Sequence, residues 1–366
     1  MKGFLTLLFL LPLVCLGQIT ISGKLVNATN NSPVADASVF LSNATVGGKS
    51  AADGTFILRN VRPGQYELVV TVVGYETHRQ TVMAAAESIA LADIKLTPKT
   101  NELKEVVVRP DPDRANNYRI FKEEFLGMSK LAKECKILNP DVVDLDFDKT
   151  TRKLTGSSSE FIEIENKALG YKIKYLLSTF VKDYKAGSLY FEGSALFEEM
   201  KGSEKQKKRW LKNRWIAFEG SSMHFLRSIV RNDVQATGFE ALRLIRKLNP
   251  DYHGIGDKYI QTLINKPLPV TDYASLTDVK GIFALRYTDC LYLMYTKIRD
   301  NSPDNNPIQS LSMPNYLTSI LTLTPPYTLF DSNGVILNPS SVGFEGNWGK
   351  SRVAEMLPVD YLPPAK

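Results

Sequence analysis

Between Ile19 and about Pro98, apolar and polar positions alternate in short runs, each closed by turn-forming residues. ITISGKLV alternates and gives way to the polar NATNNSP. VADASVFLSN follows, then the Gly-rich GGKSAADGTF. FILRNV leads into RPGQYELVVTVVGYETHRQTV. Strands of about five to eight residues separated by turn signals predict an all-β sandwich. Asp53-Gly54 and Pro63-Gly64 are turn dipeptides, in which Gly takes positive φ without a Cβ clash. Alternation places Tyr66, Leu68 and Val70 on one strand face and Glu67 and Val69 on the other.

The pattern then breaks. LKEVVV is a short β-prone run, and Pro110 and Pro112 after it favour extended chain, so a linker is expected over 99–117 between a sandwich at 18–98 and a second region at 118–366. That region opens with Phe121, Phe125, Met128, Ala132 and Cys135 at helical spacing, closed by ILNP. Strands follow. Val143, Leu145 and Phe147 share a side opposite Asp144 and Asp146; Ile162 and Ile164 oppose Glu163 and Glu165; Tyr171, Ile173, Tyr175 and Leu177 align. This predicts an antiparallel sheet with one wet face. A helical insert begins at about Ser203, with Leu211, Trp215 and Phe218 as its apolar stripe. SSMHFLRSIV predicts a further helix capped by Ser221 or Ser222. Hairpins are expected about Thr288-Asp289 and about Asn333-Gly334, and a short closing helix near Ser351 to Met356. The fold class is therefore mainly β, with an α+β second domain.

The first residues change the picture. MKGFLTLLFLLPLVCLGQ has a Lys start, an apolar run and small residues before Gln18, which predicts a signal peptide over 1–17. Acylation of Cys15, disfavoured by Val14 just before it, and a retained anchor are the alternatives. In an exported chain Cys135 and Cys290 either pair, as an oxidising compartment permits, or sit apart as core thiols. The net charge of +6 over 366 residues is too small to imply a nucleic-acid partner and leaves room for a local basic patch.

The histidines are His78, His224 and His253, and no H-E-x-x-H occurs, so the spacing for a mononuclear zinc hydrolase is absent. FEGSSMHFLRS brings Ser221, Ser222 and His224 together, but neighbours on one helical turn do not face each other. A Ser cap with His224 and Arg227 on a polar or interfacial helix face is expected, with a binding role as the alternative. DYHGIGDK holds Asp251, His253 and Asp257, with metal binding as the alternative, but its G-x-G lacks the third glycine and a preceding strand, so it reads as a loop. EKQKKRWLKNRW gathers Lys205, Lys207, Lys208, Arg209, Lys212 and Arg214 around Trp210 and Trp215. Export argues against nucleic acid there. Anionic lipid head groups fit better, set against a solvated helix whose cationic stems shield apolar surface. The acid pairs Asp144/Asp146 and Glu163/Glu165 read as wet strand faces, with a calcium or sugar contact or a glycosidase-like pair as the alternative. Candidate binding residues are Ser221, His224, Arg227, Lys207, Lys208, Arg209 and Trp210; no catalytic residue, metal or cofactor is predicted.

The order I-x-G-x-V/L, P-V-A-D-A-S-V, D-G-T-F-x-L, P-G-x-Y-x-L and V-G-Y resembles the carboxypeptidase regulatory-like domain. The resemblance implies a transthyretin-like sandwich of about seven strands, and a module that is non-catalytic despite its name. The LKEVVV step resembles the segment after this module in outer-membrane TonB-dependent receptors, which implies a Gram-negative envelope location, in the periplasm or at the outer membrane. LGMSKLAKECKILNP, IENKALGYKIKY, FEGSSMHFLRS and MLPVDY resemble stretches of exported carboxypeptidase-like regulatory-domain proteins, a group that implies no activity. The expected function is a non-catalytic envelope accessory protein binding a protein or glycan partner. The alternatives are an envelope- or polysaccharide-directed hydrolase with a site around His224 or His253, and membrane-surface attachment through the basic helix 204–215.

Overall fold

The structure is a computed structural model that describes residues 19–85, 87–99, 112–253, 256, 258–301 and 313–364. The expected signal peptide, Cys15 and most of the expected linker lie outside the described residues. Among the described residues no helix is long and apolar enough to cross a membrane.

The first strands are β1 (Ile19–Asn27), β2 (Ser38–Leu41), β3 (Gly47–Lys49), β4 (Thr55–Val61), β5 (Gly64–Thr71), β6 (His78–Ala84), β7 (Ile89–Ala90) and β8 (Ile94–Leu96). They form two four-stranded sheets, one ordered β4-β1-β7 with β8 also on β1, the other β3-β2-β5-β6. This is a β-sandwich of eight strands, one more than expected, because the chain after β6 meets β1 twice, at Ile21–Ser22 and again at Leu25–Asn27. Tyr66, Leu68 and Val70 lie in its core beside Ile21, Val39 and Leu58. The opposite face of β5 is not wet. Val69 pairs with Phe40, both are fully buried, and the Phe40 ring sits 5.6 Å from that of Phe161 in the second region.

Helix α1 (Arg114–Leu126) starts inside the expected linker. Its Phe121 and Phe125 pack on a sheet made of β9 (Cys135–Ile137), β10 (Val143–Asp148), β11 (Lys153–Ser158), β12 (Ile162–Asn166), β13 (Tyr171–Asp183) and β14 (Ser188–Glu199). The order is β10-β11-β13-β12-β9, with β14 also on β13. The expected helix to Cys135 is corrected: Gly127 at φ 92 ends it, Met128 is exposed, and Cys135 opens β9.

The helical insert is α2 (Glu204–Phe218), α3 (Ser222–Val230) and the short α4 (Val234–Thr237). Ser203 and Gln206 form a capping box at α2, and Ser221 caps α3 by accepting the His224 N–H. After it come β15 (Phe239–Leu248), β16 (Tyr259–Ile264), β17 (Ala274–Leu276), β18 (Ile282–Arg286), β19 (Cys290–Arg299), β20 (Tyr316–Leu323), β21 (Tyr327–Asp331), β22 (Val342–Gly346) and α5 (Asn347–Lys350). They build a sheet ordered β16-β15-β19-β20-β22 and a smaller one ordered β17-β18-β21. The hairpin expected about Thr288-Asp289 is therefore corrected, since β18 and β19 join different sheets. The turn at Asn333-Gly334 exists, and the chain pairs across it through the bridge Phe330–Ile336, with Asp331 N–H donating to Val335 at 3.0 Å and Leu337 N–H to Leu329 at 2.9 Å, though the returning arm is not a full strand. The closing helix lies earlier than expected, as α5, with a single 3-10 turn at Val353–Glu355 behind it. Cys135 and Cys290 are free and buried in separate cores, so they do not pair. Burial pushes the Cys135 thiol up to about 12.

Sandwich and second region interlock. Asn43 N–H donates to the Ala195 carbonyl at 2.7 Å, and Phe197 N–H donates to Ala44 at 2.9 Å, so the turn after β2 extends the β14 edge. Arg79 on β6 pairs with Glu67 at 3.1 Å and donates to Ser178 and Ser194 across the interface.

Candidate functional site

The residues singled out from sequence divide into buried posts and exposed cations. Arg227 is 7% exposed. Its Nε donates to the Asn333 carbonyl at 2.7 Å, Nη1 to Tyr361 at 2.7 Å and Nη2 to Val359 at 2.8 Å. Burial lowers its pKa to about 10, still cationic at neutral pH. Buried Asp331 closes the turn beyond β21 by accepting from the N–H groups of Asn333 and Val335. Burial raises that carboxyl, and the nearby Arg227 charge opposes the rise. His224 is buried as well. Its Nδ1 accepts the Gly220 N–H at 3.2 Å, and its ring lies 4.7 Å from Phe218 and 5.1 Å from Phe239. The expected polar or interfacial placement of His224 and Arg227 is corrected, because both are enclosed by aromatic rings and carbonyls. Ser221 Oγ is engaged by the His224 backbone as a cap, not by the imidazole, so the two do not form a nucleophile pair.

The basic helix is corrected in its facing. Buried on α2 are Trp210, Arg214 and Phe218, while Leu211, expected in the apolar stripe, is exposed. Trp210 donates its indole N–H to the Lys167 carbonyl at 2.9 Å, and Arg214 donates to Leu169 at 2.8 Å while stacking 3.9 Å over the Tyr171 ring. These bonds seat α2 on the turn between β12 and β13. Trp210 is thus a packing residue rather than a partner-facing one. Arg209 pairs with Glu134 at 3.0 Å and Lys207 with Glu204 at 2.9 Å; Lys208 is exposed. His78 is half-buried at the start of β6 and His253 is exposed; Asp257 lies outside the described residues. Asp144, Asp146 and Glu163 are exposed along their strands. Among the described residues no group of three or more His, Cys, Asp or Glu is placed to hold a metal.

What the structure assembles is a cleft of about 390 Å³ where the sandwich, the first large sheet and the second meet. Phe191 of β14, Met223 of α3, Phe344 of β22, Trp348 of α5 and Met356 form apolar walls, and Val335 and Val359 close it toward the sandwich. Ala217 and Ser222 lie on the insert side. The Trp348 indole is fixed by donating to the Gly220 carbonyl at 2.7 Å. Its charged groups, Glu355 and Arg352, are both engaged within the chain. Glu355 accepts from the Ser129 hydroxyl and from the Arg352 N–H, the latter at 3.0 Å, and burial holds its carboxyl above the ordinary range. Arg352 lies 4.0 Å from Glu124, and burial lowers its pKa. An apolar cavity with a few fixed polar groups suits an apolar side chain or ligand. Of the cleft lining, sequence had marked Ser221, Ser222 and Met223 in FEGSSMHFLRS, Gly334 in a turn, Ser351 to Met356 as a closing helix, and Met356, Leu357 and Val359 in MLPVDY, without bringing them together. Phe344 and Trp348 carried no local signal beyond their hydrophobicity.

Solved structures similar in part include a type II cohesin–X-dockerin complex from Acetivibrio cellulolyticus, at 23% identity over 20% of this chain and 52% of that one, with a TM-score of 0.18. The group B streptococcus pilus 2b backbone protein matches at 16% identity over 22% of this chain and 41% of that one, TM-score 0.19. A putative membrane-associated protein of unknown function from Bacteroides fragilis matches at 13% identity over 49% of this chain and 95% of that one, TM-score 0.19. The chain thus spans about half the length of the cohesin–dockerin chain, 52%, and 41% of the pilus protein. At these TM-scores the likenesses carry no argument about this chain. No curated protein matches it. Residues 21–108 match the model of the CarboxypepD_reg-like domain, and the β-sandwich with the strand-and-turn order described above is that domain in this chain.

Proposed function

We propose that this is an exported, envelope-associated accessory protein without catalytic activity, and that it holds an apolar segment of a partner protein in the junction cleft. The observation that carries the proposal is the composition of that cleft. Its walls are Phe191, Met223, Phe344, Trp348 and Met356, while Glu355 and Arg352 at its edge are occupied in bonds within the chain. Proton transfer needs a titratable group with a free face toward substrate. Ser221 spends its oxygen on a helix cap, and His224 sits within a cage of rings. A glycan would need polar groups aimed into the cavity, so the apolar lining favours a protein segment.

The test uses a photo-crosslinking side chain in place of Ser222, on the insert side of the cleft, in envelope fractions. The expected product is a protein adduct. Ala217→Trp, which fills the cleft from a half-buried helix position, abolishes that adduct while the melting temperature stays within a few degrees of the parent. An adduct that survives Ala217→Trp, or a product made only of polysaccharide, overturns the proposal.

A further inference from the structure

Strand β14 pairs with β13 on one side, and part of its other edge is already taken. Asn43 N–H donates to the Ala195 carbonyl and Phe197 N–H to the Ala44 carbonyl, so the backbone groups of Ala195 and Phe197 point away from β13. Outward backbone groups recur at every second residue of a strand. The irregularity in this pair sits in β13, between Leu177 and Thr179, while β14 runs from Gly193 to Glu192 without an extra residue. Leu189, Phe191 and Gly193 therefore continue the outward series. Among the described residues no hydrogen bond reaches their backbone from that side. An open strand edge is a template for one more strand. The stretch SLYFEG has neither the Pro nor the Lys that commonly blunt such an edge.

The two faces beside this edge differ. Leu189 and Phe191 share the face of Ala195 and Phe197, toward the core under α1, and Phe191 is a wall of the apolar junction cleft. On the other face Ser194 meets Arg79 and Glu67 of the sandwich. There a second cleft, of about 220 Å³, is lined by Gln65, Tyr66, Glu67, Thr81 and Glu192. Both clefts are bordered by Asn43, Val335 and Val359. A chain laid along the edge sends alternate side chains to opposite faces, one set toward the apolar cleft and the other toward the polar one. Charge selects the second set. Arg79 neutralises Glu67 at 3.1 Å, whereas exposed Glu192 accepts from the Tyr190 hydroxyl at 2.6 Å and has no cationic partner among the described residues. We propose that the β14 edge from Leu189 to Gly193 binds an extended protein segment by strand addition, and that apolar side chains alternate with Lys or Arg in that segment. The proposal rests on the reading of the junction cleft given above and names how its occupant is held.

The probe is a blocked hexapeptide of alternating leucine and lysine, set against one of the same composition with the leucines before the lysines. The readout is residue-resolved amide hydrogen exchange of the full chain. In the free chain Leu189 and Phe191 are expected to exchange fast beside Tyr190 and Glu192, whose amides face β13. The alternating peptide slows Leu189 and Phe191 and binds about tenfold or more tightly than the segregated one. Methylating the peptide nitrogens of the leucines, or those of the lysines, abolishes binding in one case and spares it in the other, since one edge of the peptide faces β14. Glu192→Lys, at an exposed position, weakens binding about tenfold or more, with near-ultraviolet circular dichroism as in the parent. Slow exchange at Leu189 and Phe191 in the free chain, whether constant or rising with protein concentration, means that the chain itself or a second copy covers the edge, and overturns the proposal. So does equal binding of the two peptides, or none. Tolerance of both methylated forms, with binding still blocked by Ala217→Trp, sinks strand addition and leaves the cleft reading standing. Absence of the Ser222 adduct from envelope fractions sinks the cleft reading instead.

Discussion

At the scale of the residue, Arg227 shows how a cation becomes structural. Its guanidinium donates to three carbonyls that lie 106 to 134 residues away along the chain. Removing it leaves three acceptors without a donor in a region closed to water, each worth about 1–3 kcal/mol before relaxation. Arg227→Met is therefore expected to lower stability by about 3–5 kcal/mol, measured by urea unfolding. Arg227→Lys keeps the charge but not the planar fork and falls between. A loss under about 1 kcal/mol for Arg227→Met would show that the carbonyls find other donors. Local pattern could not reveal this role. Periodicity assigns Arg227 and His224 to a polar face because it weighs hydrophobicity within one helix, whereas their partners come from Asn333, Val359, Tyr361 and the rings of Phe218 and Phe239. The buried thiols follow the same logic: spacing cannot say that Cys135 and Cys290 belong to different cores.

At the scale of the element, alternation identified strands well and their partners poorly. Val143, Ile162, Ile164, Tyr171, Ile173 and Tyr175 all turn inward as the period of two requires. The β18 and β19 segments were also legible as strands, yet each found its neighbours in a different sheet, because pairing is decided by contacts far along the chain. Helix α2 was legible as a helix but not in its facing. Its orientation is set by the turn at 167–170, whose carbonyls receive Trp210, Asn213 and Arg214. Gly170 makes that docking possible. It holds φ at +72, and a Cβ there would stand 2.2 Å from the Trp210 ring. Gly170→Ala combines left-handed strain with displacement of the indole and is expected to cost about 2–4 kcal/mol. Trp210 fluorescence should shift to the red as the ring becomes wetter, and hydrogen exchange should quicken in α2 more than in β13. Unchanged exchange in α2 would contradict this account of the helix's seating.

At the scale of the whole molecule, three cores meet on one C-terminal segment. Leu357 and Tyr361 join the core under α1, Val359 joins the core of the sandwich, and Arg227 holds the carbonyls of Val359 and Tyr361 from α3, whose Phe225 belongs to the third core. Val359 N–H donates to Asn43 at 2.7 Å, and Asp360 accepts from Thr45 N–H at 3.1 Å. MLPVDY, recognisable in the sequence without a physical job, is thus a clasp. Domains joined through a polar, modest interface tend to unfold separately, whereas a segment buried in two cores ties their unfolding together. Calorimetry of the chain should therefore give one cooperative transition. Val359→Ala with Asp360→Ala removes the apolar knob and the Thr45 contact but leaves every core residue of the second region in place. The apolar loss alone is worth about 1–3 kcal/mol. The double variant should show the sandwich melting first, in a transition of its own, while the second region melts near the parental temperature. A single transition merely displaced downward would mean that coupling runs through the β14 edge and Arg79 instead. Two transitions in the unmodified chain would mean that the clasp does not couple the cores at all.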